Sequence, residues 1–391
     1  MRLFLIAGEP SGDALGAALM AGLRAEAAAA GEATPQFDGV GGPLMAAQGL
    51  ASRFPMHELS VMGLAEVLPR IALLYRRIRQ TANAIAQTAP DLVITIDSPD
   101  FCLRVLRRVR ALRPDLPVVH YVAPSVWAWR PGRAARMAPL VDHVLALLPF
   151  EPPYMQAAGM SCDFVGHPVV SEPRARDAEV AALQTRFPGR ILLALPGSRG
   201  GEIARLAPRF GAALAQVLPA GAQVLVPTVS AQHAAMQREV ARWPFPAHVL
   251  RDSTEKRAAF AAAEVALAAS GTVSLELAAN ATPMVIAYDV NPLSRFLAER
   301  LIKLDTVTLV NLVTETRAVP EYLGRNCQPE KIAAGLQRLL DSADARGDQL
   351  AAMTLAMTRL GAGGDPPGLR AAHSVLRFMA RRGEGQNLSV S

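Results

Sequence analysis

The chain has 391 residues, of which 51% are hydrophobic and 19% are charged, and its formal net charge is +6. This apolar content excludes disorder of the whole chain, and the length predicts two domains at roughly 100–200 residues each. The sequence has three widely separated cysteines, no Gly-Lys pair and no His pair at metal-ligand spacing. A disulfide framework, a P-loop and a zinc cluster therefore lack support, and we expect neither a metal nor another cofactor.

Short apolar runs alternate with segments of helical period along the chain. The predicted strands are 3–7, 37–41, 92–96, 118–122 and 144–148, followed by 191–195, 223–227, 265–269 and 284–288. Strands rich in Val, Ile and Leu that alternate with helices are typical of parallel βαβ units buried on both faces. The predicted fold class is therefore α/β, with two Rossmann-like doubly wound domains facing a cleft and with C-terminal helices.

A stretch rich in proline and charge, 166–190, interrupts this alternation and predicts the domain boundary. We expect an N-terminal domain over 1–168 and a C-terminal domain over 169–365. The last helices are predicted at 330–343, 346–360 and 368–382. Residues 366–391 are expected to form a helix that can return to the N-terminal domain, followed by a disordered tail from Gly383.

Positive charge is concentrated between residues 70 and 136, where twelve Arg stand beside four Asp. The apolar residues of a helix predicted over 70–79 are placed on one face by their spacing: Ile71, Leu74, Tyr75 and Ile78. A second basic helix is predicted over 104–113. Such faces attract the phosphate of nucleic acid, anionic lipid or a phosphorylated ligand, but a solvated helix packed on a sheet has the same pattern.

Polar turns follow two strands of the first half. The first strand leads into Gly8-Glu9-Pro10-Ser11-Gly12-Asp13, where glycine permits close approach of a ligand and Ser11 or Asp13 can cap the next helix. Strand 92–96 leads into Asp97, and a carboxylate there is costly to bury unless it is paired or used. Asp97 can act as a general base, or its role can be limited to forming the turn.

Two of the three Trp, Trp127 and Trp129, follow strand 118–122. Their rings can stack on a sugar or pack in a core. In the second half, two turns lead from a strand into a helix: Pro-Gly-Ser-Arg-Gly-Gly-Glu at 196–202 and Ser-Gly-Thr-Val-Ser-Leu-Glu at 270–276. Backbone N–H groups at the helix start and the Arg199 guanidinium suit a diphosphate, so the two turns indicate a nucleotide-diphosphate site.

These motifs resemble those of the lipid-A-disaccharide synthase family from about residue 3 to residue 322. The segments that carry the resemblance are AGEPSGD at 7–13, SVMGLAEVL at 60–68, IDSPDF at 96–101, HYVAPSVWAWR at 120–130, LPFE at 148–151, FVGHP at 164–168, LPGSRGGE at 195–202 and ASGTVSLE at 269–276. The resemblance implies a GT-B fold and an inverting glycosyltransferase of lipopolysaccharide synthesis. Such an enzyme condenses UDP-2,3-diacylglucosamine with 2,3-diacylglucosamine 1-phosphate (lipid X) to a β-1,6-linked disaccharide 1-phosphate and UDP.

The resemblance also implies roles for individual residues. Asp97 would be the base for the acceptor 6-hydroxyl, with Glu9 as its catalytic neighbour, and Arg199 would stabilise the UDP phosphates. The implied nucleotide-binding residues are Gly197, Ser198, Arg199, Ser270, Gly271, Thr272, Glu276 and Asn311. Asn311 stands in Val310-Asn311-Leu312, where the family usually has Pro-Asn-Leu. The residues implied for the acceptor or the transferred sugar are Ser11, Gly12, Asp13, Ser125 and Trp127.

The implied partners are the two lipid substrates, the anionic surface of the inner membrane and a second copy in a homodimer. Because the N-terminal apolar run is too short for a signal peptide and no run reaches 18 apolar residues, we expect a cytoplasmic protein that binds the membrane peripherally. One alternative is another GT-B enzyme that uses UDP-N-acetylglucosamine, such as the peptidoglycan N-acetylglucosaminyl transferase or a UDP-sugar 2-epimerase. A nucleic-acid-binding protein is the other, but aromatic residues do not interleave with the arginines and no RNA-binding motif appears.

Overall fold

The computed structural model describes residues 1–59, 71–127, 132–290 and 305–388, and the chain forms two compact units. The first unit comprises Met1–Ser171 and Gly363–Ser391, and the second comprises Glu172–Ala362. The sequence analysis places the boundaries after residues 168 and 365, so each lies three residues from the observed division. The motif at 60–68, Trp129, Arg130 and the first residue of the basic helix predicted over 70–79 lie outside the described residues.

The first unit is built on a parallel sheet. Its strands are β1 (Arg2–Ala7), β2 (Gln36–Val40), β3 (Ala51–Ser52), β4 (Leu92–Ile96), β5 (Val118–Tyr121), β6 (His143–Ala146) and β7 (Ser161–Phe164). They lie in the order β3-β2-β1-β4-β5-β6-β7, and every pairing is parallel. The strand order reverses between β1 and β4, which is the topological switch point of a doubly wound sheet.

The second unit repeats this plan. Its strands are β8 (Ile191–Leu195), β9 (Gln223–Pro227), β10 (Ala247–Leu250), β11 (Val265–Ala268), β12 (Met284–Tyr288) and β13 (Glu321–Leu323). The order β10-β9-β8-β11-β12-β13 is again parallel throughout, with the switch point between β8 and β11. Both sheets therefore confirm the predicted doubly wound α/β class.

Helices cover both faces of the sheets. In the first unit these are α1 (Pro10–Ala29), α2 (Pro43–Ala47), α3 (Ile71–Thr88), α4 (Pro99–Leu112), α5 (Gly132–Met137) and α6 (Pro152–Gln156). In the second they are α7 (Asp177–Arg186), α8 (Gly200–Val217), α9 (His233–Val240), α10 (Ser253–Ala262), α11 (Val273–Ala279), α12 (Leu309–Thr314), α13 (Pro329–Asp341) and α14 (Ala343–Arg359). The last helix, α15 (Pro367–Leu388), returns to the first unit. Short 3-10 turns occupy Met56–Glu58, Pro168–Ser171, Ser230–Gln232 and Gly324–Asn326.

Burial on both faces explains the continuous apolar runs of the central strands. Along β1, Leu3 and Leu5 belong to one hydrophobic cluster, whereas the alternating Phe4 and Ile6 belong to another. All four side chains are almost fully buried. Each such side chain stabilises the unit by about 1.5–3 kcal/mol, so the sheet is a rigid base for the turns at its carboxyl edge.

The apolar face predicted for residues 70–79 packs only in part. Ile78 is buried and Leu74 lies against the core, but Ile71 and Tyr75 are 40% and 51% exposed. The alternative of a helix that packs its apolar face on the sheet therefore holds for Leu74 and Ile78 but not for Ile71 and Tyr75. The packed stripe of α3 continues from Ile78 into its second half, through Ala82 and Ile85 at helical spacing.

The C-terminal helix packs closely on α1. A Cβ atom at Gly22 would lie 2.7 Å from the carbonyl oxygen of Gly368, so glycine at the crossing lets the two backbones approach. Ser374 Oγ donates a hydrogen bond of 2.7 Å to Oδ2 of Asp163 on β7. These contacts fix α15 against the sheet of the first unit.

The tail predicted to be disordered from Gly383 is helical as far as Leu388, so that prediction is wrong for these residues. Once α15 is formed, each added residue contributes a backbone hydrogen bond without a new nucleation cost, and the helix continues. Residues 389–391 lie outside the described residues. Within the part of the chain that the structure describes, no helix is long and apolar enough to span a membrane.

Candidate active site

Each unit brings two polar turns together at its switch point. β1 and β4 are neighbours in the first sheet, and β8 and β11 are neighbours in the second. Because the two strands of each pair are parallel, the turns that follow them lie side by side at the carboxyl edge of their own sheet. These edges are where open α/β sheets bind ligands.

In the first unit, the turn that holds Glu9 touches the turn that holds Asp97. A Cβ atom at Gly8 would lie 2.5 Å from Ser98 Oγ, so glycine is required for this approach. Glu9 is half-buried at the start of α1, and its carbonyl oxygen accepts a hydrogen bond from the backbone N–H of Asp13. Gly8 and Ser98 are in contact, and each adjoins one of the two predicted catalytic carboxylates, Glu9 and Asp97.

Asp97 occupies an unusual backbone conformation. Asp97 and Ser98 have φ angles of 51° and 42°, in the left-handed region that non-glycine residues rarely adopt. The N–H of Asp97 donates to the carbonyl oxygen of Tyr121 at 2.9 Å, which holds the turn against β5. Two such residues cost about 1–3 kcal/mol each, and such outliers concentrate at functional sites.

The half-buried position of Asp97 also affects its acidity. Burial raises the pKa of its carboxyl group above the ordinary value, and a hydrogen bond from the backbone N–H of Ser98 offsets part of this rise. A carboxylate with a raised pKa is a stronger base, as a proton acceptor in catalysis requires. The environment of Asp97 therefore suits general-base chemistry.

Asp13 has a structural role at the start of α2. Its carboxylate is 2% exposed and accepts hydrogen bonds from the backbone N–H groups of Gly42, Leu44 and Met45, at 2.9–3.0 Å. These bonds hold the N-terminal end of α2. Gly12 is buried as well, whereas Ser11 is exposed at the first turn of α1. Asp13 therefore has a structural role, because its oxygens are enclosed and already bonded, and its contact with the sugar stays a prediction.

Trp127 is half-buried and held from two sides. Its indole N–H donates to Glu151 Oε1 at 3.3 Å, and the ring meets Phe150 edge to face at a centroid distance of 5.3 Å. Ser125, two residues earlier, is exposed. A tryptophan fixed in this way can present an apolar surface to a sugar, so packing and binding are compatible here.

Glu151 is a residue of this site that the sequence analysis did not select. It is almost fully buried, and its Oε2 accepts a hydrogen bond from the backbone N–H of Leu148. Burial raises the pKa of Glu151 to about 7, and the N–H groups of Leu148 and Trp127 offset part of the effect. The signal in the sequence was the acidic residue of LPFE directly after a strand.

In the second unit, a carboxylate organises the turn after β8. Glu202 accepts hydrogen bonds from the backbone N–H groups of Ser198 and Arg199, at 3.2 and 3.3 Å, and from the Arg199 guanidinium at 3.2 Å. The hydroxyl of Tyr288 also donates to Glu202. Gly197 has a φ of 113°, and a Cβ atom there would lie 2.6 Å from Glu202 Oε2. Arg199 itself remains largely exposed, so its guanidinium is accessible to an anion.

The turn after β11 carries a second charged pair. Ser270 is half-buried, and Gly271 and Thr272 are exposed ahead of α11. Glu276 Oε2 lies 2.6 Å from the ammonium group of Lys256. Lys256 was not selected from the sequence, because its helix, α10, carries no motif. The pair fixes the orientation of Glu276 at the edge of this turn.

Asn311 is fully buried and forms hydrogen bonds within its own loop. Its Oδ1 accepts from the N–H of Val319, and its Nδ2 donates to the carbonyl oxygen of Val319 and to Thr306 Oγ1. Its amide has no exposed atom, so the structure gives Asn311 a structural role, and its contact with the nucleotide stays a prediction. Asn311 joins the segments on both sides of α12.

The architecture defines a protein of the GT-B fold. A UDP-GlcNAc 2-epimerase from Neisseria meningitidis, solved bound to UDP-GlcNAc, superposes with a TM-score of 0.61 at 12% identity, over 97% of this chain and all of that chain. MurG from Acinetobacter baumannii superposes with a TM-score of 0.55 at 15% identity, over 97% of this chain and 99% of that one. At such low identity these similarities establish the fold alone.

Sequence similarity identifies the family. A lipid-A-disaccharide synthase from Ruegeria pomeroyi is 60% identical over 392 aligned positions, covering 96% of this chain and 95% of the relative. The corresponding enzyme of Rhodospirillum centenum is 48% identical and covers 98% and 96%. The family profile described as lipid-A-disaccharide synthetase matches residues 3–360. The chain belongs to this family, which confirms the resemblance seen in the motifs and the prediction of a glycosyltransferase.

Proposed function

We propose that the protein transfers 2,3-diacylglucosamine from UDP-2,3-diacylglucosamine to the 6-hydroxyl of 2,3-diacylglucosamine 1-phosphate. The products are the β-1,6-linked disaccharide 1-phosphate of lipid A synthesis and UDP. The single observation that carries this proposal is the 60% identity to the Ruegeria pomeroyi lipid-A-disaccharide synthase over nearly the full length of both chains.

Asp97 accepts the proton in this proposal. The acceptor O6 attacks the anomeric carbon of the donor, the bond from that carbon to the UDP oxygen breaks, and the O6 proton passes to Asp97. Attack from the face opposite UDP inverts the configuration. The raised pKa of Asp97 and its strained turn support this role, and Glu9 on the adjoining turn helps to position the sugars.

Arg199 and the two turns of the second unit hold the nucleotide. The exposed guanidinium of Arg199 stabilises charge that develops on the departing diphosphate, and Gly197 and Ser198 form the turn beneath it. Ser270, Gly271 and Thr272 supply N–H and hydroxyl donors. Glu276 accepts from the ribose hydroxyls. The exposed ion pair between Arg199 and Glu202 contributes little to stability, so Arg199 can leave Glu202 and bind a phosphate with little loss of free energy.

Because both substrates carry acyl chains, the protein binds them at a lipid surface, the cytoplasmic face of the inner membrane. The exposed Ile71 and Tyr75 of α3 stand beside Arg76 and Arg79, which are also exposed. Apolar side chains flanked by arginines suit the interface of an anionic bilayer. We expect Arg76→Glu with Arg79→Glu to weaken binding to phosphatidylglycerol vesicles, whereas Arg238→Glu on α9 of the other unit leaves it unchanged. Equal losses in both variants would contradict this assignment.

The function is tested by measuring UDP release from UDP-2,3-diacylglucosamine with and without lipid X. We expect release that requires the acceptor and a β-anomeric product by NMR. Release without acceptor would indicate a hydrolase, and activity with UDP-N-acetylglucosamine alone would favour the other GT-B enzymes. Arg199→Gln should lower turnover. Arg242→Gln is the matched control, because Arg242 forms a similarly exposed pair with Glu239 three residues away.

A further inference from the structure

A basic cavity beside the candidate acceptor site has no role in the mechanism proposed above. It has a volume of about 210 Å³ and lies between α4 and α5. Four arginines line it, Arg104 and Arg107 from α4 and Arg133 and Arg136 from α5, together with Asp100. The volume corresponds to roughly seven molecules of liquid water, which is enough for a phosphate group.

The sequence of each helix produces this convergence. On α4, Val105, Leu106 and Val109 are buried in the core, so Arg104 and Arg107 are directed away from it, one turn apart. Arg133 and Arg136 have the same spacing of three residues on α5. Side chains at this spacing lie on one helical face, so each helix presents a pair of guanidinium groups to the same cavity.

The charges in the cavity are not neutralised by the protein. Four arginines and one aspartate leave a net charge of +3. Among the described residues, none of the four arginines forms an ion pair, whereas Arg110 of the same helix pairs with Asp142 at 2.8 Å. Like charges that converge in a concave site repel one another unless an anion binds between them. Arginine pairs match the oxygen geometry of phosphate, which they bind bidentately.

The position of the cavity connects it with the acceptor. Its wall includes Pro99, two residues after Asp97, and Pro124, the residue before Ser125. It therefore adjoins both the proposed base and the segment that leads to Trp127. The cavity is lined by residues of the first unit alone, whereas the turns assigned to the nucleotide follow β8 and β11 of the second unit.

We propose that this cavity binds the phosphate monoester of the acceptor, its 1-phosphate, and thereby selects a phosphorylated sugar. The proposal rests on the proposed function for the identity of the acceptor. A site with a net charge of +3 suits a dianionic phosphate monoester better than the singly charged phosphodiester of a phospholipid headgroup. The cavity could recognise phosphate from the acceptor or from a phospholipid headgroup, and the experiment below distinguishes these two sources.

The test compares Arg107→Gln and Arg133→Gln with Arg108→Gln. Arg108 is exposed on α4 and does not line the cavity, and its replacement by Gln removes the same charge. We expect the KM for lipid X to rise about tenfold or more in the two cavity variants, because a charge-assisted hydrogen bond is lost. The KM for the donor, vesicle binding and the melting temperature should stay unchanged, and Arg108→Gln should behave as wild type.

A second measurement does not depend on turnover. Binding of glucosamine 1-phosphate to the full chain, followed by ligand-observed NMR, should be lost in Arg107→Gln and Arg133→Gln but kept in Arg108→Gln. If wild type fails to turn over lipid X but shows this pattern, the proposed function fails and the phosphate site stands. Turnover with an unchanged KM for lipid X in both cavity variants would overturn the site and leave the function standing. Loss of vesicle binding alone would assign the cavity to a phospholipid headgroup and overturn its assignment to the acceptor.

Discussion

Replacing Glu151 with Gln should make the stability of the protein less dependent on pH. Burial raises the pKa of Glu151 to about 7 in the folded chain, against an ordinary value of 4.5. Stability from a group whose pKa is raised on folding is fully present when the pH is below its ordinary pKa. It is lost as the pH rises through the pKa of the folded state. The wild type therefore loses stability from this group between about pH 4.5 and pH 7, as the buried carboxyl group ionises.

The size of the effect follows from the shift. At 1.36 kcal/mol per pKa unit, the rise to about 7 corresponds to about 3 kcal/mol above pH 7, of which about 2.5 kcal/mol falls between pH 5 and pH 8. Glu151→Gln has no charge to bury and keeps one acceptor oxygen for Leu148 or Trp127. The free energy of unfolding of the variant relative to wild type should thus increase by about 2.5 kcal/mol from pH 5 to pH 8.

Urea unfolding at the two pH values, followed by far-UV circular dichroism and tryptophan fluorescence, measures this difference. Glu32→Gln is the control, since Glu32 is exposed after α1 and the same charge is removed. Its difference from wild type should be the same at both pH values. If Glu151→Gln were destabilised more at pH 8 than at pH 5, the hydrogen bonds to the ionised carboxylate would outweigh its burial, and our reasoning would be refuted.

Three further substitutions test the positioning residues. Asp13→Ala leaves three backbone N–H groups at the start of α2 without an acceptor and should lower the free energy of unfolding by about 2–4 kcal/mol, measured by urea unfolding; a loss below 0.5 kcal/mol would contradict this. Asn311→Ala leaves the N–H and carbonyl groups of Val319 unpaired and should cost about 2–3 kcal/mol, and unchanged stability would argue against its structural role. Glu202→Gln weakens the hold on the turn after β8 and should raise the KM for the donor by about threefold to tenfold with an unchanged KM for the acceptor, and an equal change in both would count against the assignment.

Central and edge strands differ in how well the sequence predicts them. All the strands found from apolar runs, such as β4 and β8, lie inside a sheet, where burial on both faces demands a continuous run of apolar residues. The four strands that were missed, β3, β7, β10 and β13, are the edge strands of the two sheets. Their residues are mostly exposed or half-buried, so no apolar run distinguishes them from loops.

In the candidate site, the sequence predicts the turns but not the residues that bind to them from elsewhere in the chain. Turns such as 196–202 and the position of Asp97 follow from the local order of strand, glycine and helix, and sequence motifs capture that order. The partners of these residues come from elsewhere in the chain. Asp13 accepts from residues about 30 positions away, and Glu276 pairs with Lys256 on another helix. Which polar residues are enclosed by such contacts depends on the packing of the whole unit, so the sequence does not show that Asp13 and Asn311 are buried and bonded within the unit.

The role of Asp97 is central to this account, and the kinetics of Asp97→Asn test it most directly. The measurement is acceptor-dependent UDP release, with kcat and the KM of both substrates, for wild type, Asp97→Asn and Asp115→Asn, whose carboxylate is exposed before β5. Loss of a general base predicts that kcat falls by about 10²–10⁴ in Asp97→Asn, with both KM values nearly unchanged and Asp115→Asn equal to wild type. A kcat within a few-fold of wild type in Asp97→Asn would contradict the assignment of Asp97 as the proton acceptor.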